Sequence, residues 1–399
     1  MQLHTVAVLL SAITAFWVAY KAIPIVIRVV IRKNLMDEPD GNRKIHTHRI
    51  PTMGGIGIFA GFFFASTIMT SLMGYDIHPL FVVSTVVLLL VGIADDLIHI
   101  SAAKKLIAQI IVAVLAITGS TVLIQDFSGV FGINAVPAFV SYPITIFAFI
   151  IVINAYNLID GVDGLAAGLG MVIATTFGGF FLLNENYEMA IYSFGLVGAL
   201  AGFLIYNFNP AQIFMGDTGS LIVGFTLAFL GLQYQGLSGE TTKWISGEYA
   251  SIVLVSTLII PLYDTLRVVI IRTKRGVSPF RPGKEHVHHV LMGYGFNHRQ
   301  TAGYLVLANI FLIGFTIFLA TTGLNINAIL ALLTVACLIV LPTRSKLVFL
   351  FDLFGKPYPD PLKEALLDRQ RGSNAVLTAN GTPVRESFST MERLENVDH

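Results

Sequence analysis

Long apolar runs alternate with short polar gaps from residue 5 to residue 342, and the pattern breaks only beyond that point. A helix needs roughly 20 apolar residues to cross the hydrocarbon of a bilayer. On that criterion the runs predict spans near 5–31, 52–73, 79–94, 105–124, 138–155, 164–183, 189–206, 219–235, 250–271, 301–321 and 324–342. The expected fold is an all-α, polytopic membrane protein of about eleven transmembrane helices, with residues 1–342 as one transmembrane domain. Residues 343–399 pass through the amphipathic stretch Leu347 to Phe354 and then turn polar, in RQRGSNAVLTANGTPVRES, as a partly disordered tail does.

Composition agrees with the pattern. The chain of 399 residues is 55% apolar and 12% charged, with a mean hydropathy of +0.75, which excludes an ordinary water-soluble domain. The net charge of +1 is uninformative, but the placement of the basic residues is not. When alternate gaps are assigned to alternate sides, 21 of the 25 Lys and Arg fall on one side, only Lys243 falls on the other, and Lys21, Arg28 and Arg267 lie within spans. Cytoplasmic loops carry such an excess. The expected topology therefore puts the N-terminus outside and the tail in the cytoplasm, with residues 5–31 retained as a first span. The lone Cys337 can form no intrachain disulfide.

On this topology every acidic motif faces the cytoplasm. Asp95-Asp96 ends the third span, just before Lys104 and Lys105. Adjacent helical positions point roughly 100° apart, so the two carboxylates are expected to do different work. One reading is a base or orienter of the acceptor beside a carboxylate that contacts a metal or holds a neighbouring side chain; the other is a solvated cap. In NAYNLIDGVDGLAAG, Asn154, Asn157, Asp160 and Asp163 recur every third residue and would share one slowly rotating helical face. Such a stripe is costly at a membrane face unless it binds something or hydrogen-bonds between helices. Its amides and carboxylates suit the edges of a base and ribose hydroxyls.

Asp217, in NPAQIFMGDTGSLIVGF, sits between Gly216 and Gly219. It reads either as part of an N-cap cluster with Thr218 or Ser220, or as a carboxylate gripping Mg²⁺, a hard ion that takes few protein carboxylates. The segment NRKIHTHRIPTMGGIGIF reads as a positive-inside anchor followed by small-residue helix packing, or as glycines, Gly54, Gly55 and Gly57, that permit close backbone approach to a neighbour or a ligand beside basic residues that meet phosphate. The loop RTKRGVSPFRPGKEHVHHVLMGYGFNHRQ holds His286, His288 and His289. Basic neighbours and the absence of cysteine argue against zinc there, and Arg281 and Lys284 suit a pyrophosphate. No internal repeat supports an inverted-repeat transporter.

Taken together, HRIPTMGG, DDLIHISAAKK, NAYNLIDGVDGLAAG, FMGDTGSL and HVHHVLMGYG, in this order between spans, resemble the polyprenyl-phosphate N-acetylhexosamine-1-phosphate transferases, over roughly residues 40 to 310. The resemblance implies transfer of a sugar 1-phosphate from a UDP-sugar to a membrane polyprenyl phosphate with release of UMP, and Mg²⁺ (or Mn²⁺ in its place) as cofactor. It implies Asp217 as metal ligand, Asp95 as base or orienter of the lipid phosphate with Asp96 beside it, and Lys105 as a phosphate contact. Asn157, Asp160 and Asp163 match positions that hold uridine, with Asn154 on the same stripe, and His286, His288 and His289 match a loop touching sugar and pyrophosphate.

SPFRPGKEHVHHVLMGYG looks most like the bacterial branch that uses UDP-GlcNAc and undecaprenyl phosphate, whereas HRIPTMGG leans toward the phospho-MurNAc-pentapeptide branch. The expected location is a bacterial inner membrane with the site facing the cytoplasm. The expected partners are a UDP-HexNAc, undecaprenyl phosphate and the bilayer, with no nucleic acid; a homodimer is one assembly the chain allows. A secondary transporter or a scaffold explains the five acids and the His cluster less well, because these groups gather at span ends.

Overall fold

The computed structural model describes residues 2–33, 35, 50–76, 78–120, 122–237, 246–278, 283 and 285–341. The basic part of the first loop, Arg281 and Lys284, and the expected tail lie outside the described residues. The chain divides into two units, residues 1–292 with 296–343, and residues 293–295 with 344–399; only Gly293–Gly295 of the second are described.

In chain order the helices are α1 (Gln2–Arg32), α2 (Gly55–Met73), α3 (Pro79–Ile98), α4 (Ala102–Ser120), α5 (Ala138–Ile159), α6 (Leu165–Leu183) and α7 (Tyr187–Asn207). They continue with α8 (Gly216–Gly236), α9 (Ala250–Thr257), α10 (Ile259–Lys274), α11 (Val287–Gly293), α12 (His298–Thr321) and α13 (Ile326–Val340). Local chemistry sets many of the ends. Gly74, at φ 72°, closes α2 by donating its N–H back to Ser71 and Thr70. Pro79 opens α3, where a missing N–H costs nothing. Asn297 and Gln300 cap α12 reciprocally.

By length and composition, eight described helices can cross a membrane, α1 to α7 and α12. A ninth results if Gly247–Thr257 and Ile259–Lys274, bent by 63°, form one broken span. The eleven predicted from sequence include two that fall short of this test. The 15 residues of α13 are too few. The start of α8 is polar, and from Thr218 to Leu232 it is buried on every face, as a central helix packed by α2, α3, α5, α6 and α9 must be. The α9–α10 break has a local cause. Pro261 cannot donate to the Thr257 carbonyl one turn back, and that carbonyl instead accepts from Asn309 Nδ2 at 3.3 Å.

One element departs from the all-α expectation. Between α4 and α5 the chain forms a two-stranded antiparallel hairpin, β1 (Asp126–Val130) and β2 (Ile133–Ala135). Its two-residue turn puts Phe131 at φ 54° and Gly132 at φ 77°, the conformation that matches the strands' twist and that glycine supplies without strain.

Candidate active site

α3 runs to Ile98, so Asp95 and Asp96 occupy its last turn rather than the gap beyond it. Adjacent on the helix, they point to different partners. Asp95 is buried, accepts the Ile100 N–H at 2.9 Å, and meets the Lys105 ammonium at 2.5 Å. Asp96 turns to the start of α8. Its Oδ1 accepts the Asp217 N–H at 2.8 Å, and its Oδ2 accepts the Thr218 N–H at 3.1 Å and hydroxyl at 2.5 Å. It thus caps a helix other than its own, satisfying orphan N–H groups and facing the positive end of the helix dipole. Of the two roles expected for the pair, this geometry gives Asp96 the holding of a neighbouring side chain, the Thr218 hydroxyl, together with the start of α8.

Asp217 stands in the first turn of α8, one residue after Gly216, whose φ of 69° brings the chain in. A Cβ on Gly216 would sit 2.6 Å from Asp96 Oδ2, so only glycine fits. The Lys105 ammonium bonds Asp217 Oδ2 as well as Asp95, bridging α3, α4 and α8. Asn157 Nδ2 donates to Asp217 Oδ1 at 2.8 Å and to Ser220 Oγ at 2.7 Å.

The expected stripe of four polar residues does not survive as one face. α5 ends at Ile159, so only Asn154 and Asn157 are helical; Asp160 caps the end, and Asp163 lies in the turn before Gly164, which adopts φ 77°. Asn154 is committed to a reciprocal amide pair with Gln109 of α4, at 2.7 and 3.3 Å. Asp163 is buried against Asn209 Nδ2 at 2.8 Å, the Ala211 N–H at 3.2 Å and His298 Nδ1 at 3.3 Å. Of the stripe, Asn157 reaches the Lys105 centre directly. Asp160 reaches the same helix start through the Gly216 N–H, which its carboxylate accepts.

Burial, reinforced by Asp217, Asp96 and Asp163, pushes the Asp160 carboxyl up from 3.8 to about 7. Between these values the folded protein holds a proton that the unfolded chain gives up, so the contribution of this group to stability falls as pH rises through that window and levels off above about 7. We expect melting temperatures in detergent and chelator to decline from pH 5 to pH 7.5 in the wild type and to decline less in Asp160→Asn. Equal slopes would show that Asp160 is not the group responsible.

The histidines lie where the α10–α11 loop returns. His286 Nδ1 is 2.8 Å from Asp264 Oδ2, and the rings of His286 and His288 stack with centroids 5.6 Å apart. His288 packs over the turn after α5, where a Cβ on Gly161 would lie 2.5 Å from its Nε2. Burial, then neighbouring His289, drives the His288 imidazole down to about 3 against the pull of Asp264, so it is neutral at ordinary pH. Its Nδ1 is buried without a hydrogen-bond partner among the described residues. His289 lies 4.4 Å from His288, centroid to centroid. Arg281 lies outside the described residues. Sequence reasoning missed Asp264, Gln109 and His298; only the first carried a signal, an acid in the middle of an apolar span.

Asp95 and Asp217 converge on one cation, and no group of three or more His, Cys, Asp or Glu among the described residues is arranged to enclose a metal ion. Two carboxylates are a donor set of the size Mg²⁺ takes, since it completes its shell with phosphates and water.

Apolar helices whose ends gather acids, an ammonium and amides define a polytopic membrane protein with a polar cluster at one end of the bundle. A family model, glycosyl transferase family 4, matches residues 78–235, which span Asp95 to Asp217. The chain is 35% identical over 300 residues to a probable undecaprenyl-phosphate N-acetylglucosaminyl 1-phosphate transferase of Bacillus subtilis, covering 73% of this chain and 78% of that protein. It is 31% identical to the undecaprenyl-phosphate alpha-N-acetylglucosaminyl 1-phosphate transferase of Salmonella typhi, over 72% of this chain and 77% of that one. The Escherichia coli K12 protein of the same name is 30% identical, over 70% and 75%. The chain belongs to glycosyl transferase family 4.

Proposed function

We propose that this protein transfers a HexNAc-1-phosphate, with GlcNAc-1-phosphate as the group carried, from a UDP-sugar to undecaprenyl phosphate and releases UMP. The observation that carries the proposal is the Lys105 ammonium held between Asp95 and Asp217, with Asn157 on the second Asp217 oxygen. The names of the relatives supply the lipid acceptor and the sugar. The clustered groups sit at the C-terminal ends of α3 and α5 and the starts of α4 and α8, which is one end of the bundle. The skew of basic residues supports a cytoplasmic position for that end, and the bacterial relatives support an inner-membrane location.

An oxygen of the lipid phosphate attacks the phosphorus that bears the sugar. The bond from that phosphorus to the bridging oxygen breaks, UMP leaves with the electron pair, and the anomeric bond is untouched. Two anionic reactants must be brought together, so the residues' work is positioning and charge stabilisation. Lys105 neutralises incoming phosphate and Asp95 orients it. A phosphate dianion is already a competent nucleophile near neutral pH, which favours direct attack. The buried neutral His288 has an unpartnered nitrogen to offer a hydroxyl or phosphate oxygen. Asp217 would hold Mg²⁺, which when bound neutralises the pyrophosphate and the departing UMP. Asp160, close to other carboxylates with Lys105 already shared by two acids, supports the need for a further cation.

UMP release by the purified protein in detergent, with undecaprenyl phosphate, Mg²⁺ and a panel of UDP-sugars, tests this. Release with UDP-GlcNAc that stops on chelation is expected. Release only with UDP-MurNAc-pentapeptide would move the chain to the peptidoglycan branch, and no release with any donor would overturn the reading.

A further inference from the structure

Three side chains of α10 fasten three consecutive points of the returning loop. Arg272 Nη2 bonds Glu285 Oε2 at 2.9 Å, and Arg267 Nη1 donates to the Glu285 carbonyl at 2.5 Å. Asp264 takes the remaining two points, His286 and Val287. It is 2% exposed, with Oδ1 accepting the Val287 N–H at 2.7 Å and Oδ2 at 2.8 Å from His286 Nδ1. Asp264 does not touch the Lys105 centre, and the mechanism above does not use it.

A carboxylate is acceptor-only, so with one oxygen on a backbone N–H and the other on Nδ1, the imidazole must carry its proton on Nδ1. We propose that Asp264 is a positioning residue that fixes the tautomer and plane of His286. Its Nε2 is thereby left as the working nitrogen, and the stacked His286–His288 pair is set over the Asp160–Gly161 turn to orient the donor's sugar-phosphate. The arrangement is a carboxylate–histidine pair in which the carboxylate acts through the ring. The stacking, and the seat of His288 on Gly161, link Asp264 to the turn that carries Asp160. This inference rests on the transferase reading for its substrate and on the geometry alone for the tautomer.

Asp264→Asn separates these two parts. The amide keeps the shape of the side chain and one acceptor for Val287, but it presents an N–H to Nδ1, which forces the ring proton onto Nε2. In protein labelled with ¹⁵N-histidine, the resonances that vanish in His286→Asn should report an Nδ1–H tautomer in the wild type and an Nε2–H tautomer in Asp264→Asn. An Nε2–H tautomer in the wild type overturns the proposal, and this spectrum does not depend on any activity. Kinetically, Asp264→Asn should raise the KM for UDP-GlcNAc about tenfold to a hundredfold and leave the KM for undecaprenyl phosphate and the melting temperature unchanged. In a His286→Asn background it should have little further effect. A fall in kcat alone, or full additivity with His286→Asn, would reduce Asp264 to a structural anchor and overturn the proposal. A wild type silent with every donor would instead bring down the transferase reading, leaving the tautomer to the spectrum.

Discussion

Asp217→Asn is expected to lower UMP release on the order of 10³-fold while the protein stays folded, the scale seen when one preorganised charge-stabilising group is removed. Asparagine has nearly the same volume, and its carbonyl oxygen can still accept the Asn157 N–H that now reaches Oδ1 at 2.8 Å. Its nitrogen would face the Lys105 ammonium, replacing an ion pair with two opposed donors. Lys105 keeps Asp95, at 2.5 Å, so the ammonium is not orphaned and the fold loses little. What is lost is a full negative charge where a hard divalent cation would bind, and amide oxygen is a poor substitute for it. The measurement is the UMP release rate across a Mg²⁺ series, alongside the melting temperature. A variant within tenfold of wild type at every Mg²⁺ concentration would remove Asp217 from the metal site; a large loss with unchanged melting is the expected result.

How far the chain could be read depended on whether the relevant partner lay nearby in sequence. Helix positions were legible because an apolar run of the right length has few alternatives in a membrane. The divergence of Asp95 and Asp96 was legible too, since neighbours on a helix cannot share a face. Their partners were not, because Lys105 is ten residues from Asp95 while Asp217 and Thr218 are more than a hundred from Asp96. The three-residue spacing from Asn154 to Asp163 suggested a single stripe, but spacing says nothing of where the helix stops, and Asp160 to Gly164 turns away. Asn154 was claimed by Gln109, a residue with no motif around it. The hairpin carried a local signal, Phe131-Gly132 between short alternating segments, too brief to stand out beside the long apolar runs. Asp264 offered no spacing relation to His286 and became visible only when the loop was seen to return onto α10.

Gly55→Ala should do more harm to the fold than any change among the polar residues. The chain from Pro51 to Gly55 runs beside Phe214 and Met215, just before α8. Phe214 donates its N–H to the Pro51 carbonyl at 2.8 Å, Gly54 donates to Phe214 at 2.9 Å and Gly55 to Met215 at 3.0 Å. This lashes the start of α2 to the start of α8, a close backbone approach that both readings of the glycines allow. A Cβ on Gly55 would overlap the Gly219 nitrogen and Cα and the Thr218 carbonyl carbon, which are all backbone. No rotamer can relieve that contact, so the first turn of α8 must shift, and that turn carries Asp217. Overpacking of this kind costs roughly 1–3 kcal/mol and occasionally more, and a shift of that turn would also pull Asp217 away from Lys105 and Asn157. The variant should therefore melt well below wild type and transfer no sugar phosphate even where it folds. Gly179→Ala in α6 supplies the comparison. A Cβ there meets nothing within 4 Å, and alanine in a helix gains roughly 0.5–1 kcal/mol over glycine, so that variant should melt at or slightly above the wild-type temperature. If both variants behaved alike, the close approach of α2 to α8 would not be what holds the site together.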